Sequence, residues 1–459
     1  MDLWKVCEEL KKEIEYLKSE IEKLEIETEN LSAENKVLKI ENAQLKERLG
    51  LNSQNSSIPS SRELFKVQKK KPKSGRKIGA QIGHEGKYRA KMKANEIVNV
   101  ELSNTCDCGG EIAISKEPYV HQKVDLPEIK PYVVEYQLEH GRCKRCGKRS
   151  SSKLPEGVTS DTFGPKIKST IAALSGFYKN SKQEVANIMK DIFNLDISVG
   201  SVSNSEDRVA EKCEEAYKKV EQEVRKSEIL HIDETSHYNK GKLGWCWMFT
   251  SKIGSVIKLT ESRGMKVLEN SIFGKNNNLI VTDRYAAYNY FSSQKRQICW
   301  AHLVRDFERL ANSWNIEVKV LGCYLRGAAA ELFTLKKALQ RNEIDTLMFT
   351  RRARKLRKRT RYYLKKISNL PEAIGASRVA KNIIKSEPMM WKFLDDPENI
   401  PLTNNHAEQQ IRHFVIYRKV SYFTQSERGK RFLERIISLY LTWRHRNLNP
   451  FKNLLAIVS

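Results

Sequence analysis

The stretch Ile-Leu-His-Ile-Asp at residues 229–233 is a short apolar run that ends on a carboxylate, Asp233. The pattern returns at 279–283 as Leu-Ile-Val-Thr-Asp, which ends on Asp283. Short apolar runs bounded by turn residues predict buried β-strands, and an acidic residue at the end of such a strand can hold a hard cation through its oxygens. Glu408 opens a helix-like segment and completes a candidate carboxylate triad. One strand-end Asp alone is more often a turn or cap residue, so the prediction depends on the three together.

The elements around these residues predict a ribonuclease H-like α/β sheet. From residue 229 the pattern reads as strands at 229–233, 244–250 and 255–260, a helix near 266–272, and strands at 279–283 and 296–300. The first carboxylate then lies on the first strand and the second on the fourth. The interval between Asp283 and Glu408 is too long for one crossover. We therefore expect a catalytic domain at 229–459 with an all-helical insertion at about 305–400.

Composition favours a polyanionic partner. The 459 residues include 82 Lys and Arg against 56 Asp and Glu, a formal charge of +26. An excess of this size favours phosphate contacts that release counterions, and so DNA; membrane headgroups are the competing partner. No apolar run reaches the roughly 18 residues that span a bilayer, and no apolar signal region opens the chain. We expect a cytoplasmic protein with no membrane association.

The cysteines predict a structural zinc site. Nine cysteines in a basic, unsecreted chain argue for thiols and metal ligation rather than disulfides. Cys143 and Cys146 have the two-residue spacing of a zinc knuckle, whereas Cys106 and Cys108 are one residue short of it. Four thiolates would hold a tetrahedral Zn2+. The alternative is two reduced turns with incidental cysteines.

The first 50 residues carry a heptad repeat. Leucine recurs every seven residues, at Leu3, Leu10, Leu17, Leu24, Leu31, Leu38 and Leu45. The pattern predicts a parallel coiled coil with leucine at d, in which Asn35 and Asn42 at a positions fix the register and favour two strands. We expect a homo-oligomer joined through this helix; the alternative is a solitary amphipathic helix folded onto the body.

Three further segments precede the predicted catalytic domain. Residues 51–96 read as a basic flexible linker that could order on DNA, or as a solvated tether. Residues 97–155, where short alternating runs such as 132–136 surround the Cys pairs, predict a small β-rich zinc module. Residues 156–228 are helical in pattern, and 184–204, with Ser198 as a cap, resembles a helix-turn-helix. Its second helix could approach base edges; the alternative is an ordinary helical hairpin. The chain is thus expected to be a multidomain α+β protein.

A strongly basic run lies inside the predicted insertion. Residues 351–361 contain no acidic residue and would form one cationic helix face against a phosphate backbone, unless the face is merely solvated. The residues expected to contact DNA there are Arg351, Arg352, Arg354, Lys355, Arg357 and Lys358.

The motifs together resemble the transposase of the insertion-sequence-66 family over essentially the whole chain. The resemblance is carried by His-Ile-Asp-Glu-Thr at 231–235, Asp-Arg-Tyr-Ala-Ala-Tyr at 283–288, Cys-Trp-Ala-His at 299–302 and Asn-Asn-His-Ala-Glu-Gln-Gln-Ile-Arg at 404–412. Arg284 stands where the family usually has Gly, Ala287 where Gly is common, and the first Cys pair is short by one residue.

The resemblance implies a DDE transposase that cuts at the ends of a bacterial insertion sequence and joins the freed 3′-OH to target DNA. Asp233, Asp283 and Glu408 would hold two Mg2+ or Mn2+ ions, which can clamp the attacking and leaving oxygens of a phosphodiester. His302, Asn404, Asn405 and Arg412 would support the site or position phosphate, or be structural only. Whether accessory proteins of the same element are needed stays open.

Two other functions fit the same features. One is a zipper-type DNA-binding regulator whose C-terminal half is catalytically inactive. The other is a nuclease of the same fold that only hydrolyses DNA. Dimerisation and DNA binding are expected of both, so those features do not separate them from a transposase.

Overall fold

The computed structural model describes residues 3–49, 79–80, 83–86, 90–102, 104–274, 278–371 and 373–459. Most of the predicted linker at 51–96 lies outside these ranges. Among the described residues, no helix is long and apolar enough to cross a membrane.

The heptad segment forms one helix, α1 (Leu3–Leu49), about 70 Å long at 1.5 Å per residue. Its stripe leucines from Leu10 to Leu45 are between 51% and 58% exposed. The predicted helix is therefore present and its apolar stripe is open to a partner. The coiled coil itself stays a prediction.

The segment 97–155 has less β-structure than its sequence predicts. Two three-residue strands, β1 (His140–Arg142) and β2 (Arg149–Ser151), pair antiparallel. The alternating run at 132–136 forms no strand, and Tyr132 is 93% exposed. The prediction of a β-rich module was wrong here, because alternation makes a strand only where a neighbouring strand pairs with the backbone.

The next segment is helical, as predicted. Its helices are α2 (Pro165–Ala172), which continues as a π-helical turn at Ala173–Phe177, α3 (Lys182–Asp191), α4 (Val199–Lys212) and α5 (Glu214–Arg225). A capping box of Ser181 and Glu184 starts α3, and the Ser198 hydroxyl accepts from the Ser201 amide to start α4. Val185 and Val202 close a small core between α3 and α4.

A five-stranded mixed sheet follows, in the spatial order β5-β4-β3-β6-β7. The strands are β3 (Ile229–Asn239), β4 (Lys242–Thr250), β5 (Ser255–Thr260), β6 (Leu279–Thr282) and β7 (Arg296–Ile298), with α6 (Met265–Asn270) before β6. The first three strands pair antiparallel; β6 runs parallel to β3, and β7 parallel to β6.

The first strand is longer than its apolar run. Asp233 lies within β3, which continues to Asn239 and turns through Lys240 and Gly241, both at positive φ, into β4. A two-residue turn with positive φ at both positions matches the twist of an antiparallel hairpin. The prediction that the strand ends at Asp233 was therefore wrong, because pairing with β4 holds the polar half extended.

A helical block separates the last strand from Glu408. It comprises α7 (Trp300–Ala311), α8 (Ile316–Gln340), α9 (Thr346–Ser368), α10 (Ile374–Lys385) and α11 (Glu387–Met390). Its core contains Trp300, Phe307, Leu332 and Phe349, all buried. The long interval thus folds around its own apolar centre.

Three C-terminal helices return to the sheet: α12 (Asn405–Val420), α13 (Glu427–His445) and α14 (Pro450–Val458). Helix α13 packs along the edge strand β5. Glu434, Ser438 and Thr442, one turn apart on α13, accept hydrogen bonds from the β5 backbone amides of Leu259, Ile257 and Ser255 at 2.6, 2.9 and 3.1 Å. Side chains of a helix thereby complete an edge that would otherwise expose free N–H groups.

Candidate active site

Two carboxylates lie at the same level on neighbouring parallel strands. The β3–β6 register pairs His231 with Val281, so Asp233 and Asp283 each follow two residues after a matched pair. Asp233 Oδ1 accepts from the Glu234 amide at 3.0 Å, and Asp283 Oδ1 accepts from the Tyr285 amide at 2.8 Å. Both side chains are thus fixed by local backbone bonds.

The third carboxylate arrives on α12. Asn404, only 1% exposed, precedes this helix. Its side-chain amide donates to the Ile232 carbonyl at 2.7 Å, and its Oδ1 lies 3.0 Å from His231 Nδ1. Burial lowers the pKa of His231 to about 4, so Nδ1 of the neutral ring can donate to this oxygen. Asn404 therefore fastens the start of α12 beside β3, and Glu408 lies in the first turn of that helix.

The carboxylates repel one another. The pKa of Asp233 is raised well above its ordinary value, first by burial and then by the charges of Glu234, Asp283 and, more weakly, Glu408. Burial also raises the pKa of Glu234, and the charge of Asp283 adds to that rise. Several negative groups packed together without enough compensating charge favour either protons or cations.

The oxygens of Asp233, Asp283 and Glu408 do not all lie within 4.8 Å of one another. Among the described residues, the group of three metal-ligating side chains that meets this distance is Cys299, His302 and Glu408. His302 Nδ1 lies 3.9 Å from Glu408 Oε1. His302, which the sequence predicts to support the site, thus neighbours the predicted third carboxylate.

Glu234 is a site residue that sequence reasoning missed. Its side chain is 2% exposed and accepts from Arg263 Nε and Nη2 at 2.9 and 2.6 Å and from the Tyr288 hydroxyl. The Arg263 guanidinium lies over the Tyr285 ring, 3.8 Å from its centroid. The available signal was a second acid directly after Asp233; its cationic partner stands on a different loop.

Arg296 was also missed, although it supports the second carboxylate. It is 1% exposed, and burial lowers its pKa to about 10. Its guanidinium donates to the Asp283 carbonyl at 2.7 Å, the Thr282 hydroxyl at 2.9 Å and the Asn289 side chain at 3.0 Å. The turn that carries Asp283 is thereby tied to β7.

The remaining predicted site residues lie in different surroundings. Asn405 and Arg412 are exposed on α12. Arg284, one of the departures from the family pattern, donates to Asp306 of α7 at 2.6 Å. Its positive charge is therefore paired within the protein.

The basic run lies mostly on the exposed face of α9, and three of its arginines, Arg357, Arg359 and Arg361, pair with acidic side chains. Arg357 is partly buried and donates to Glu387 of α11 at 2.9 Å. The negative charge of Glu387 therefore neutralises the positive charge of the helix face at that point. Within the described part of the chain, no salt bridge involves the other exposed predicted contacts, which are Arg351, Arg352, Arg354, Lys355 and Lys358.

The cysteine pairs form two separate turns. Gly109 and Gly147, both at positive φ, donate to the carbonyls of Cys106 and Cys143 at 2.8 and 2.9 Å. Backbone hydrogen bonds from Cys108 and Cys146 are the main cause that lowers the pKa of the Cys106 and Cys143 thiols. No three of the four thiols lie within 4.8 Å of one another. Zinc binding there stays a prediction.

The mixed α+β domain, its carboxylate cluster and the excess of positive charge point to the class of DNA-processing transposases. A family model described as "Transposase IS66 family" matches residues 169–431, more than half of the chain. The chain therefore belongs to the IS66 family of transposases, which confirms the resemblance seen in its motifs. A second model, "Family of unknown function (DUF6444)", matches residues 5–90. A search of curated proteins finds no match.

Proposed function

We propose that this transposase is of the DDE type, with a ribonuclease H-like catalytic domain in which Asp233, Asp283 and Glu408 form the catalytic triad. It would cleave DNA at the ends of an insertion sequence and transfer the 3′-OH to target DNA. The observation that supports the proposal is that Asp233 and Asp283 occupy matched positions on neighbouring strands, while Asn404 holds the start of the helix that carries Glu408 against β3.

The donor set fits divalent ions with oxygen ligands. Carboxylates suit Mg2+ and Mn2+. Glu408 Oε1 is a buried oxygen without a hydrogen-bond partner. The pKa of Asp233 is raised first by burial and then by neighbouring negative charge, which a cation would neutralise. Two such ions, when bound, would supply activation of the attacking oxygen and stabilisation of the leaving 3′-oxygen.

The protein side chains would position DNA and hold the ligands. Asp233 and Asp283 would present oxygens from rigid strand positions, while Asn404 keeps Glu408 beside them. Arg296 would keep the Asp283 turn in place. The exposed guanidinium of Arg412 and the basic face of α9 would bind the phosphate backbone, because their charges point to solvent.

We propose the remaining organisation as follows. Residues 1–50 would form a homo-oligomeric coiled coil, and residues 51–96 would form a basic linker. Residues 97–155 would form a module that holds structural Zn2+ through Cys106, Cys108, Cys143 and Cys146. Residues 156–228 would form a DNA-binding helix-turn-helix region, and residues 229–459 would form the catalytic domain. In α4 the exposed Val199 and Gly200 could reach a groove, whereas Ser203 and Asn204 accept hydrogen bonds from Lys182 and Arg428 within the protein. The protein would act in the bacterial cytoplasm.

Mapping of reaction products on DNA that carries the native element's ends tests the proposal. A transposase is expected to give a strand-transfer product in which the element's 3′ end is joined to a second duplex, in the presence of Mg2+ or Mn2+. Cut ends without joined product would instead indicate the hydrolytic nuclease. Binding without any cutting would indicate the inactive regulator, and either result would overturn the proposal.

A further inference from the structure

A second ligand set touches the proposed triad at Glu408. Cys299 is the N-cap of α7, and His302 lies three residues on in its first turn, where residues i and i+3 face the same side. Together with Glu408 of α12 they offer one sulfur, one nitrogen and one oxygen, all within 4.8 Å of one another.

The polar atoms of this cluster lack partners. His302 Nδ1 and Glu408 Oε1 are buried, make no hydrogen bond and lie 3.9 Å apart. A buried polar atom without a partner is costly, so two that face each other point to a missing group. The Cys299 sulfur accepts a hydrogen bond from the Asn404 backbone amide at 3.1 Å, which orients the sulfur; burial raises the pKa of this thiol, so the thiolate would form when the ion binds.

The chemistry of these ligands differs from that of the triad. Mg2+ prefers oxygen ligands, whereas sulfur and imidazole favour softer ions such as Zn2+. Zinc ligands lie about 2.0 to 2.3 Å from the ion, which places them roughly 3.3 to 3.6 Å from each other. The ligand atoms lie within 4.8 Å of one another, so they would need to approach by no more than about 1.5 Å. Three protein ligands leave the fourth position open.

We propose that Cys299, His302 and Glu408 bind a Zn2+ ion, and that this ion withdraws Glu408 from the catalytic centre. The zinc site depends only on the three side chains. Its inhibitory effect rests on the proposed function, in which Glu408 serves the Mg2+ centre. Zinc would then inhibit DNA cleavage, because it would compete with the Mg2+ centre for Glu408.

Elemental analysis of the full chain, dialysed against buffered Zn2+, tests the site directly. Wild type is expected to hold one more zinc per chain than Cys299→Ser or His302→Gln, or to bind that zinc about tenfold or more tightly. Cys323→Ser, an exposed thiol on α8, and His445→Gln on α13 are matched controls that should retain it. Any zinc held by the two cysteine pairs would be common to all five proteins and would cancel.

Co2+ substitution separates ligation from a structural effect. In Cys299→Ser the sulfur-to-cobalt absorption should fall by the contribution of one thiolate. In His302→Gln the thiolate absorption should be retained, but the affinity for cobalt should be weaker. Equal zinc content and affinity in wild type, Cys299→Ser and His302→Gln would overturn the site.

The two proposals fail in distinguishable ways. If the site binds zinc and Mg2+-dependent cleavage is unaffected by it, the inhibitory role is overturned and the proposed function stands. If no cleavage occurs under any condition, the proposed function fails, while the zinc measurement still decides the site.

Discussion

At the scale of single residues, Asp233 gives a prediction that needs no DNA. Its pKa is raised by burial and by neighbouring carboxylates, so the folded protein binds the proton more tightly than the unfolded chain. Its ionisation therefore lowers stability as pH rises above the ordinary aspartate value of 3.8. We expect Asp233→Asn to raise the metal-free Tm at neutral pH by about 2 to 4 °C, equivalent to about 1 kcal/mol in a domain of this size.

The pH dependence of that difference is the measurement. The Tm of Asp233→Asn minus that of wild type, in EDTA, should grow as pH rises from about 4 to 8. Burial lowers the pKa values of His231 and His237 to about 4, so these two histidines have the opposite pH dependence. They reduce the stability of the fold as pH falls below about 6.5. Wild type and Asp233→Asn both contain these histidines, so the contribution of the histidines cancels in the Tm difference.

Glu261→Gln is the control, because Glu261 is exposed. It should leave the Tm difference from wild type flat across the pH range. A lower metal-free Tm for Asp233→Asn at neutral pH would contradict the crowding of carboxylates at this position.

Asn404 gives a second prediction at the same scale. Asn404→Ala removes the partners of the Ile232 carbonyl and of His231 Nδ1. We expect a loss of about 1 to 3 kcal/mol in unfolding free energy and a cleavage rate about 100-fold lower, because Glu408 is then misplaced. Chemical denaturation and single-turnover cleavage measure the two effects.

The neighbouring variant Asn405→Ala is a matched control, since Asn405 is exposed one residue further on. It should change the stability by less than about 0.5 kcal/mol. Equal stability and cleavage for the two variants would show that Asn404 does not position the helix.

At the scale of elements, helix α13 completes the edge strand β5. Ser438→Ala leaves the buried Ile257 amide without its acceptor, with an expected loss of about 1 to 3 kcal/mol. Urea unfolding measures it. Ser421→Ala, which removes a hydroxyl that donates to the Tyr417 carbonyl of its own helix, should cost less; the reverse order would mean that α13 does not satisfy the edge.

The sheet was predictable from sequence where burial alone decides the pattern. The run at 255–260 became β5 with the predicted bounds, and the run at 279–283 became β6 short by one residue. The polar half of β3 was not predictable, because cross-strand pairing with β4 rather than local composition keeps it extended.

Contacts between distant parts of the chain were not predictable from local patterns. The residues of the candidate triad were chosen from sequence, yet the bonds of Glu234 to Arg263 and of Asn404 to His231 join separate elements. The sequence marked Cys299 only as part of a motif and His302 as a residue that supports the site, and the proximity of both to Glu408 depends on how α7 and α12 pack. Such pairings depend on tertiary structure, which no single periodicity encodes.

At the scale of the whole molecule, the exposed leucine stripe of α1 predicts self-association. Leu17→Lys together with Leu24→Lys places charges in the seam and should dissociate the oligomer. Light scattering coupled to gel filtration measures the mass. Tyr16→Lys together with Ile26→Lys is the matched control, since both side chains are exposed outside the stripe. Equal masses for the two double variants would contradict a coiled coil.

Metal-dependent nicking of terminal-repeat DNA tests the central claim most directly. Under single-turnover conditions with Mg2+, Asp233→Asn, Asp283→Asn and Glu408→Gln should each abolish nicking while they still bind the element's ends, and Glu261→Gln should nick at the wild-type rate. Wild-type nicking by any of the three carboxylate variants would contradict the proposed triad.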